Sequence, residues 1–514
     1  MKYFLGLDNG GTTTKAVLYT QQGEEVGCAS IDTAMKTPRP GFTERDMDEM
    51  WQANCTIIRR VISESGINAR DIAGVAACGH GKGLYLWGKD DRPAYRGIIS
   101  TDNRAWEYVE KWRRDGTEQA VFDLSYQHIL ACQPVALLAW MKDHEPEILK
   151  NVRWIFECKD YIRFRLTGEA LAEITDYSGA NFVNLETRRY DRRLMGLYGL
   201  ADLWDALPPL CRATDVCGHI TEEAAELTGL VAGTPVAGGM FDIDACAIAV
   251  NVVDDRHICM IAGTWSINEY PSRTAVRDGS VLMNSIFCIP EYYLIEECSP
   301  TSAVNFEWFI KSLLPELDRA KPEQQRSLFD ELNSWVAGIS PQEFCPIFLP
   351  FLMASNVHPN AKGCFVGISA YHTRKHLIRS IYEGVAFCHK YHLEKLLKTR
   401  TSKPESIRLA GGVANSAVWS QMFADVMQLP VETVTVRETG ALGCAMSAAV
   451  ATGTFSDLKE AASQMVSIKS VFHPQAINVS TYQQKYALYL RVIESLDNVW
   501  SDIQTMIDAD HQRA

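Results

Sequence analysis

Two kinds of hydrophobic spacing alternate along the chain. Near the start, Lys2–Leu7 is a short apolar run, Asp8-Asn9-Gly10-Gly11-Thr12-Thr13-Thr14 reads as a turn, and Lys15–Tyr19 reads as a second strand. About half a chain later the same pattern returns: apolar His257–Ala262, the small-residue turn Gly263-Thr264-Trp265-Ser266, then Ile267–Tyr270. That repetition predicts a duplicated architecture, with domains 1–247 and 248–514, a boundary near Ala245–Asn251 and a cleft between the halves. Helical periodicity fills the intervals. Thr43–Gly66 places Met47, Met50, Trp51, Ile58, Val61 and Ile62 on one face. Thr43 and Asp46 form a capping-box-like start to it, and Gly66 closes it. Val418, Met422 and Val426 repeat the pattern after Asn415. Strands alternating with amphipathic helices predict an α/β fold.

Composition narrows the class. A chain of 514 residues exceeds one compact core and suits two domains. Hydrophobic residues at 47% and charged residues at 22% are ordinary for a globular protein. The net charge of −13, with scattered basic residues, argues against nucleic acid or an anionic membrane as partner. The opening residues do not read as a signal peptide, and no apolar run reaches membrane-spanning length, so a cytoplasmic location is expected. Fifteen cysteines are dispersed without Cys-x-x-Cys or zinc spacing, and are expected to be free, mostly buried thiols.

The first turn carries the first chemical signal. Glycines let backbone N–H groups approach an oxyanion, threonine hydroxyls can donate to phosphate oxygens, and Asp8 can hold Mg²⁺ through water. An ordinary hairpin is the competing reading, because Asn-Gly is a favoured hairpin dipeptide. No Walker-type loop is present: Gly81-Lys82-Gly83 lacks both the earlier glycine and the trailing hydroxyl. Gly263-Thr264 in the second half is a candidate second phosphate clamp. Further on, Gly238-Gly239-Met240-Phe241-Asp242-Ile243-Asp244 places an aspartate at a helix entry, where it could act as a base for a hydroxyl or serve only as an N-cap. Spacing alone does not separate Asp242 from Asp244.

These motifs, in this order, resemble the FGGY family of carbohydrate kinases, within the wider group sharing the actin-like and Hsp70-like ATPase fold. Leu5–Thr12 resembles the first phosphate motif and Pro40-Gly41-Phe42-Thr43-Glu44-Arg45-Asp46 a following family segment. Pro134–Lys142, Lys159-Asp160-Tyr161 and Arg165–Gly168 come next, and Gly239–Asp242 resembles the catalytic aspartate segment. His372–Val385, Ala410–Ser416 and Thr439–Gly443 complete the series. The resemblance implies two ribonuclease H-like domains, ATP and Mg²⁺ as cofactors, and phosphoryl transfer to an alcohol. By the same resemblance Asp242 is the general base and a metal neighbour, and Asp8 positions the metal. Thr12 and Thr13 face phosphates, Thr264 contacts the γ-phosphate, and Gly411, Gly412, Asn415 and Ser416 line the adenosine pocket. A small sugar or polyol and ATP are the expected partners, and a homodimer the expected assembly.

Acceptor choice is expected at Cys78-Gly79-His80-Gly81-Lys82-Gly83-Leu84, with Asp102 in Ser100-Thr101-Asp102-Asn103-Arg104 as a further contact. Gly-Lys-Gly-Leu followed by this stretch looks most like the L-xylulose kinase branch, although His80 stands where glutamine is expected. Lys82 could instead be a solvated charge, His80 a structural hydrogen-bonder and Asp102 a turn residue. Other ketoses and polyols (D-xylulose, ribulose, erythritol, glycerol) are alternative acceptors. A non-catalytic sugar sensor would be expected to lack part of the set Asp8, Thr13, Asp242 and Thr264, all of which are present. An actin-like or Hsp70-like ATPase acting on proteins would call for an extra domain, for which no segment is spare.

Overall fold

A computed structural model describes residues 2–315 and 322–511. The chain divides into two compact units. The first gathers Met1–Asp254, Pro271–Ile295 and Val436–Ser467; the second gathers Asp255–Tyr270, Glu296–Thr435 and Ile468–Ala514.

The first unit is built on a sheet of six strands: β1 (Tyr3–Asn9), β2 (Thr13–Thr20), β3 (Glu25–Asp32), β4 (Ile72–Gly79), β5 (Val216–His219) and β6 (Pro235–Ala237). Their spatial order is β5-β6-β4-β1-β2-β3. β1 pairs antiparallel with β2 and parallel with β4. β6 pairs parallel with β4 and antiparallel with β5.

Strand alternation sorts β1 between two helices. Leu5 and Leu7 pack in one core cluster with Met50, Trp51, Ile57, Ile58 and Val61 of α1 (Met47–Ser65). Burying each such side chain stabilises the unit by about 1.5–3 kcal/mol. The opposite face carries Gly6 and Asp8. A Cβ on Gly6 would lie 1.9 Å from the Ala441 carbonyl oxygen, so only glycine lets the helix Thr439–Ala451 lie on β1.

The start of α1 differs from the sequence expectation. The helix begins at Met47, and Asp46, not Thr43, is the cap, accepting from the Asp48 and Glu49 amides. Glu44–Arg45 is instead a short strand paired with Gly97–Ile98, and the Thr43 amide donates to Asp102. A carboxylate one residue before the helix satisfies two orphan amides, which leaves Thr43 free for that tie. Gly66 ends α1 in the left-handed region at φ 68°, as expected.

In the second unit the pattern repeats. β7 (His257–Ala262) pairs antiparallel with β8 (Ser266–Ser272) and parallel with β9 (Ser406–Ala410). β9 pairs parallel with β10 (Val431–Val434), which pairs antiparallel with β11 (Ile468–Phe472). The expected repeat of the hairpin and its parallel partners is thus present, in a sheet of seven strands against six among the described residues. The fifteen cysteines are free thiols, eleven of them buried. Among the described residues no helix is long and apolar enough to cross a membrane.

Candidate active site

β1 and β2 are joined by the short turn Gly10–Thr12, so Asp8 sits within β1, with Lys15 opposite it on β2 and Cys78 beside it on β4. Asp8 faces the first turn of Thr439–Ala451, where a Cβ on Gly440 would come within 2.6 Å of its Oδ2. Burial pushes the Asp8 carboxyl above its usual range; Lys15 opposes this and Glu438 reinforces it. The Lys15 ammonium is tied to Glu438 at 2.6 Å.

The turn is braced from beneath by Arg45, a buried guanidinium that donates to the carbonyls of Gly10 and Gly11. Asn9 Oδ1 accepts from Asn54, and its carbonyl accepts from the His80 amide at 3.0 Å, which ties the turn to the loop after β4. Thr12 is exposed. The Thr13 hydroxyl donates to Asp32 at 3.0 Å.

Asp242 opens the helix α2 (Asp242–Ala249) in its first turn. The approach to it needs glycine: Gly239 has φ 72°, and a Cβ there would meet the Ala77 carbonyl oxygen at 1.9 Å. Asp242 is half-buried. Burial pushes its carboxyl well above the usual range, Asp8 and Asp176 push the same way, and Lys82 opposes them. Asp244 is fully buried, and its Oδ1 accepts the Cys288 amide at 2.8 Å. Of the two aspartates that spacing left level, Asp242 is the more exposed.

The loop His80–Gly83 lies on this aspartate's neighbour. Lys82 is 6% exposed, at φ 64°, with its Nζ 5.1 Å above the Phe241 ring. That burial removes the solvated-charge alternative. His80 is buried, its Nε2 is 2.8 Å from the Tyr85 hydroxyl, and burial pushes its pKa down to about 3. It is a neutral hydrogen-bonding group. Gly81 separates the two. Asp102 accepts from the Thr43 amide and from the amide and guanidinium of Arg104, which also pairs with Glu44 at 2.8 Å. Its carboxylate is committed to holding these loops.

In the second unit, Gly263–Trp265 forms the equivalent turn, with Thr264 exposed. Gly411, at φ 84°, follows β9, and Gly412–Asn415 continues as a single 3₁₀ turn. Ser416 caps the next helix by accepting from the Trp419 amide and donates to Asn333 at 2.6 Å. Gly412 and Asn415 are exposed.

Residue types alone did not single out Arg45, Glu438 or Asp176. Their signal is burial beside a turn or an aspartate that lies far away in sequence. Among the described residues no group of three or more acidic, histidine or cysteine side chains forms a metal cage. The Asp8 carboxylate pushes that of Asp242 further up, a like-charge effect that a divalent cation would relieve.

Comparison with known proteins decides the family. The profile of the N-terminal domain of the FGGY family of carbohydrate kinases matches residues 3–249, and that of its C-terminal domain residues 258–452. The chain belongs to the FGGY carbohydrate kinases. It is 36% identical over 505 residues to an L-xylulose/3-keto-L-gulonate kinase of Escherichia coli, covering 98% of this chain and 99% of that one. To a probable L-xylulose kinase of Haemophilus influenzae it is 35% identical, covering 97% and 100%. A ligand-bound xylulose kinase from Lactobacillus acidophilus shares the fold, with a TM-score of 0.87, 24% identity and coverage of 98% and 100%. The FGGY kinase described here is accordingly a phosphotransferase with an alcohol acceptor, and its family works with ATP and Mg²⁺.

Proposed function

We propose that this FGGY kinase transfers the γ-phosphoryl group of ATP to a hydroxyl of L-xylulose or a close ketopentose, with Asp242 as general base. The observation that carries the acceptor is the full-length similarity to the L-xylulose/3-keto-L-gulonate kinase. The half-buried Asp242 beside the buried ammonium of Lys82 supports the chemistry.

In this reading Asp242 takes the proton of the attacking hydroxyl, which requires hydrogen-bond reach and correct aim. Lys82, His80 and Gly81 read the acceptor, and Asp102 acts on it by fixing the surrounding loops. Mg²⁺ would be held through water by Asp8 and Asp242, where it neutralises phosphate charge. In the first unit Thr12 faces the phosphates, with Thr13 held back by Asp32. In the second, Thr264 would contact the γ-phosphate and Gly411, Gly412, Asn415 and Ser416 the adenosine. A cytoplasmic location goes with this reading.

The test is ADP release against a panel of ketopentoses, aldopentoses, polyols and glycerol. L-xylulose or a close ketopentose is expected to give the highest kcat/KM. Glycerol or an aldopentose as best substrate would overturn the acceptor assignment.

A further inference from the structure

The loop that presents Asp242 is gripped at both ends by one buried cluster of side chains. At its start, the Gly238 carbonyl accepts from Arg163 Nη1 at 2.6 Å. At its end, the Phe241 amide donates to the Thr175 hydroxyl at 2.9 Å. Arg163 is 1% exposed and pairs with Asp160 at 2.7 Å. Lys159, also fully buried, lies 3.0 Å from Asp160, 3.0 Å from Asp176 and 3.5 Å from Glu173.

Thr175 joins this charged cluster to the loop. Its hydroxyl has one hydrogen, and that hydrogen goes to Glu173 Oε2 at 2.6 Å, a short bond. The hydroxyl lone pairs therefore face the Phe241 N–H. Glu173 cannot turn away, because its other oxygen accepts the Thr175 amide and Lys159 stands beside it. Phe241 is the residue before the helix, at φ −53° and ψ 141°. Pinning its amide sets the direction in which the next residue, Asp242, projects. On the other side, Lys82 lies over the Phe241 ring.

We propose that Thr175, acting through the Phe241 amide, is a positioning residue that aims the Asp242 carboxylate at the acceptor hydroxyl. This rests on the reading of Asp242 as the base. A base displaced by a fraction of an ångström loses most of its benefit while the acceptor still binds, so the effect falls on kcat.

The experiment compares Thr175→Val, which keeps the shape and removes the hydroxyl, with Thr175→Ser, which keeps the hydroxyl. Both are assayed well below their melting temperatures. Thr175→Val is expected to lower kcat by about 10- to 100-fold with the acceptor KM within about threefold. Thr175→Ser should stay within about threefold of wild type in both constants, although it loses a buried methyl. Wild-type kcat in Thr175→Val, an effect confined to KM, or equal loss in the serine and valine variants would each overturn the proposal. If the valine variant does not fold, Thr175→Ala is judged by the same criteria. Asp242→Asn is measured in parallel. An active Asp242→Asn removes the base assignment, whereas an inactive one beside a fully active Thr175→Val removes only the role of Thr175.

Discussion

The two units are the same strand pattern carrying different chemistry. Each opens with a hairpin whose first strand pairs parallel with a later strand, which pairs parallel with another, which pairs antiparallel with a last. Counting back from the turn, Asp8 in β1 corresponds to Ile261 in β7. Asp8 faces Lys15 across the hairpin; Ile261 faces Ile267. Each hairpin's parallel partner is followed by a glycine-containing loop: His80–Gly83 after β4, Gly411–Asn415 after β9. The first is closed over by Lys82 and His80, both buried; the second leaves Gly412 and Asn415 exposed. One backbone frame thus supports a charged site in one copy and an open glycine turn in the other. Function resides in the side chains set on the frame rather than in the frame.

The sharpest way to break this contrast is to remove the charges of the first unit. Asp242→Asn is expected to cut kcat by about 10² to 10⁴-fold in steady-state assays while the protein remains folded. Asp244→Asn should act chiefly on stability, because Asp244 is sealed around the Cys288 amide. Near-normal turnover by Asp242→Asn with an inactive, folded Asp244→Asn would reverse the assignment. Next in size, Asp8→Asn is expected to lower kcat by about 10- to 100-fold and to raise the Mg²⁺ concentration needed for half-maximal activity. Its counterpart Ile261→Val should leave the Mg²⁺ requirement unchanged. Equal Mg²⁺ titrations for the two variants would show that the hairpins do not differ in metal handling.

Much of this was legible in the chain. The duplicated hairpins, the free thiols and the α/β class follow from hydrophobic spacing and turn residues, because period and glycine placement are local properties. The same holds for the end of α1 at Gly66. Its start was misplaced: Thr43 and Asp46 both suit a cap, and what decides between them is Asp102, fifty-nine residues away, claiming the Thr43 amide. Distant contacts of this kind also hid Arg45 beneath the Gly10–Thr12 turn and Glu438 beside Asp8. Asp242, chosen by the family resemblance, also differs from Asp244 in burial, which two acidic residues on one helix turn do not reveal by spacing.

A smaller effect is expected at the acceptor loop. Lys82 is a buried cation held against the Phe241 ring and within electrostatic reach of Asp242. A site built around a particular donor penalises a substrate that leaves it unpaired. Lys82→Met should therefore reduce the ratio of kcat/KM for L-xylulose over other ketopentoses by about 10-fold or more. The corresponding change in the second unit's open loop, Asn415→Ala, should shift the KM for ATP and leave the sugar order intact. A sugar panel with both variants checks this, and an unchanged order in Lys82→Met would separate Lys82 from acceptor choice.

The smallest effect concerns pH, and it isolates the burial of His80. This imidazole is pushed down from 6.5 to about 3, first by desolvation and then by the nearby Arg45 charge. Between those values the unfolded chain binds a proton that the folded chain refuses. Stability is therefore full above about pH 6.5 and is lost as pH falls toward 3. For one such group the loss between pH 7 and pH 5 is about 2 kcal/mol. Other buried histidines add to the wild-type slope, so the informative quantity is the difference between wild type and His80→Gln, which has nothing to titrate there. In urea unfolding, wild type should lose about 2 kcal/mol more than His80→Gln over that interval. The Arg45 contribution can be read separately: Arg45→Met should flatten the slope without abolishing it, since desolvation is the larger cause. Parallel pH dependences in wild type and His80→Gln would mean that the folded protein protonates His80 as readily as the unfolded chain does. The loop after β4 would then be as open to water as its counterpart after β9.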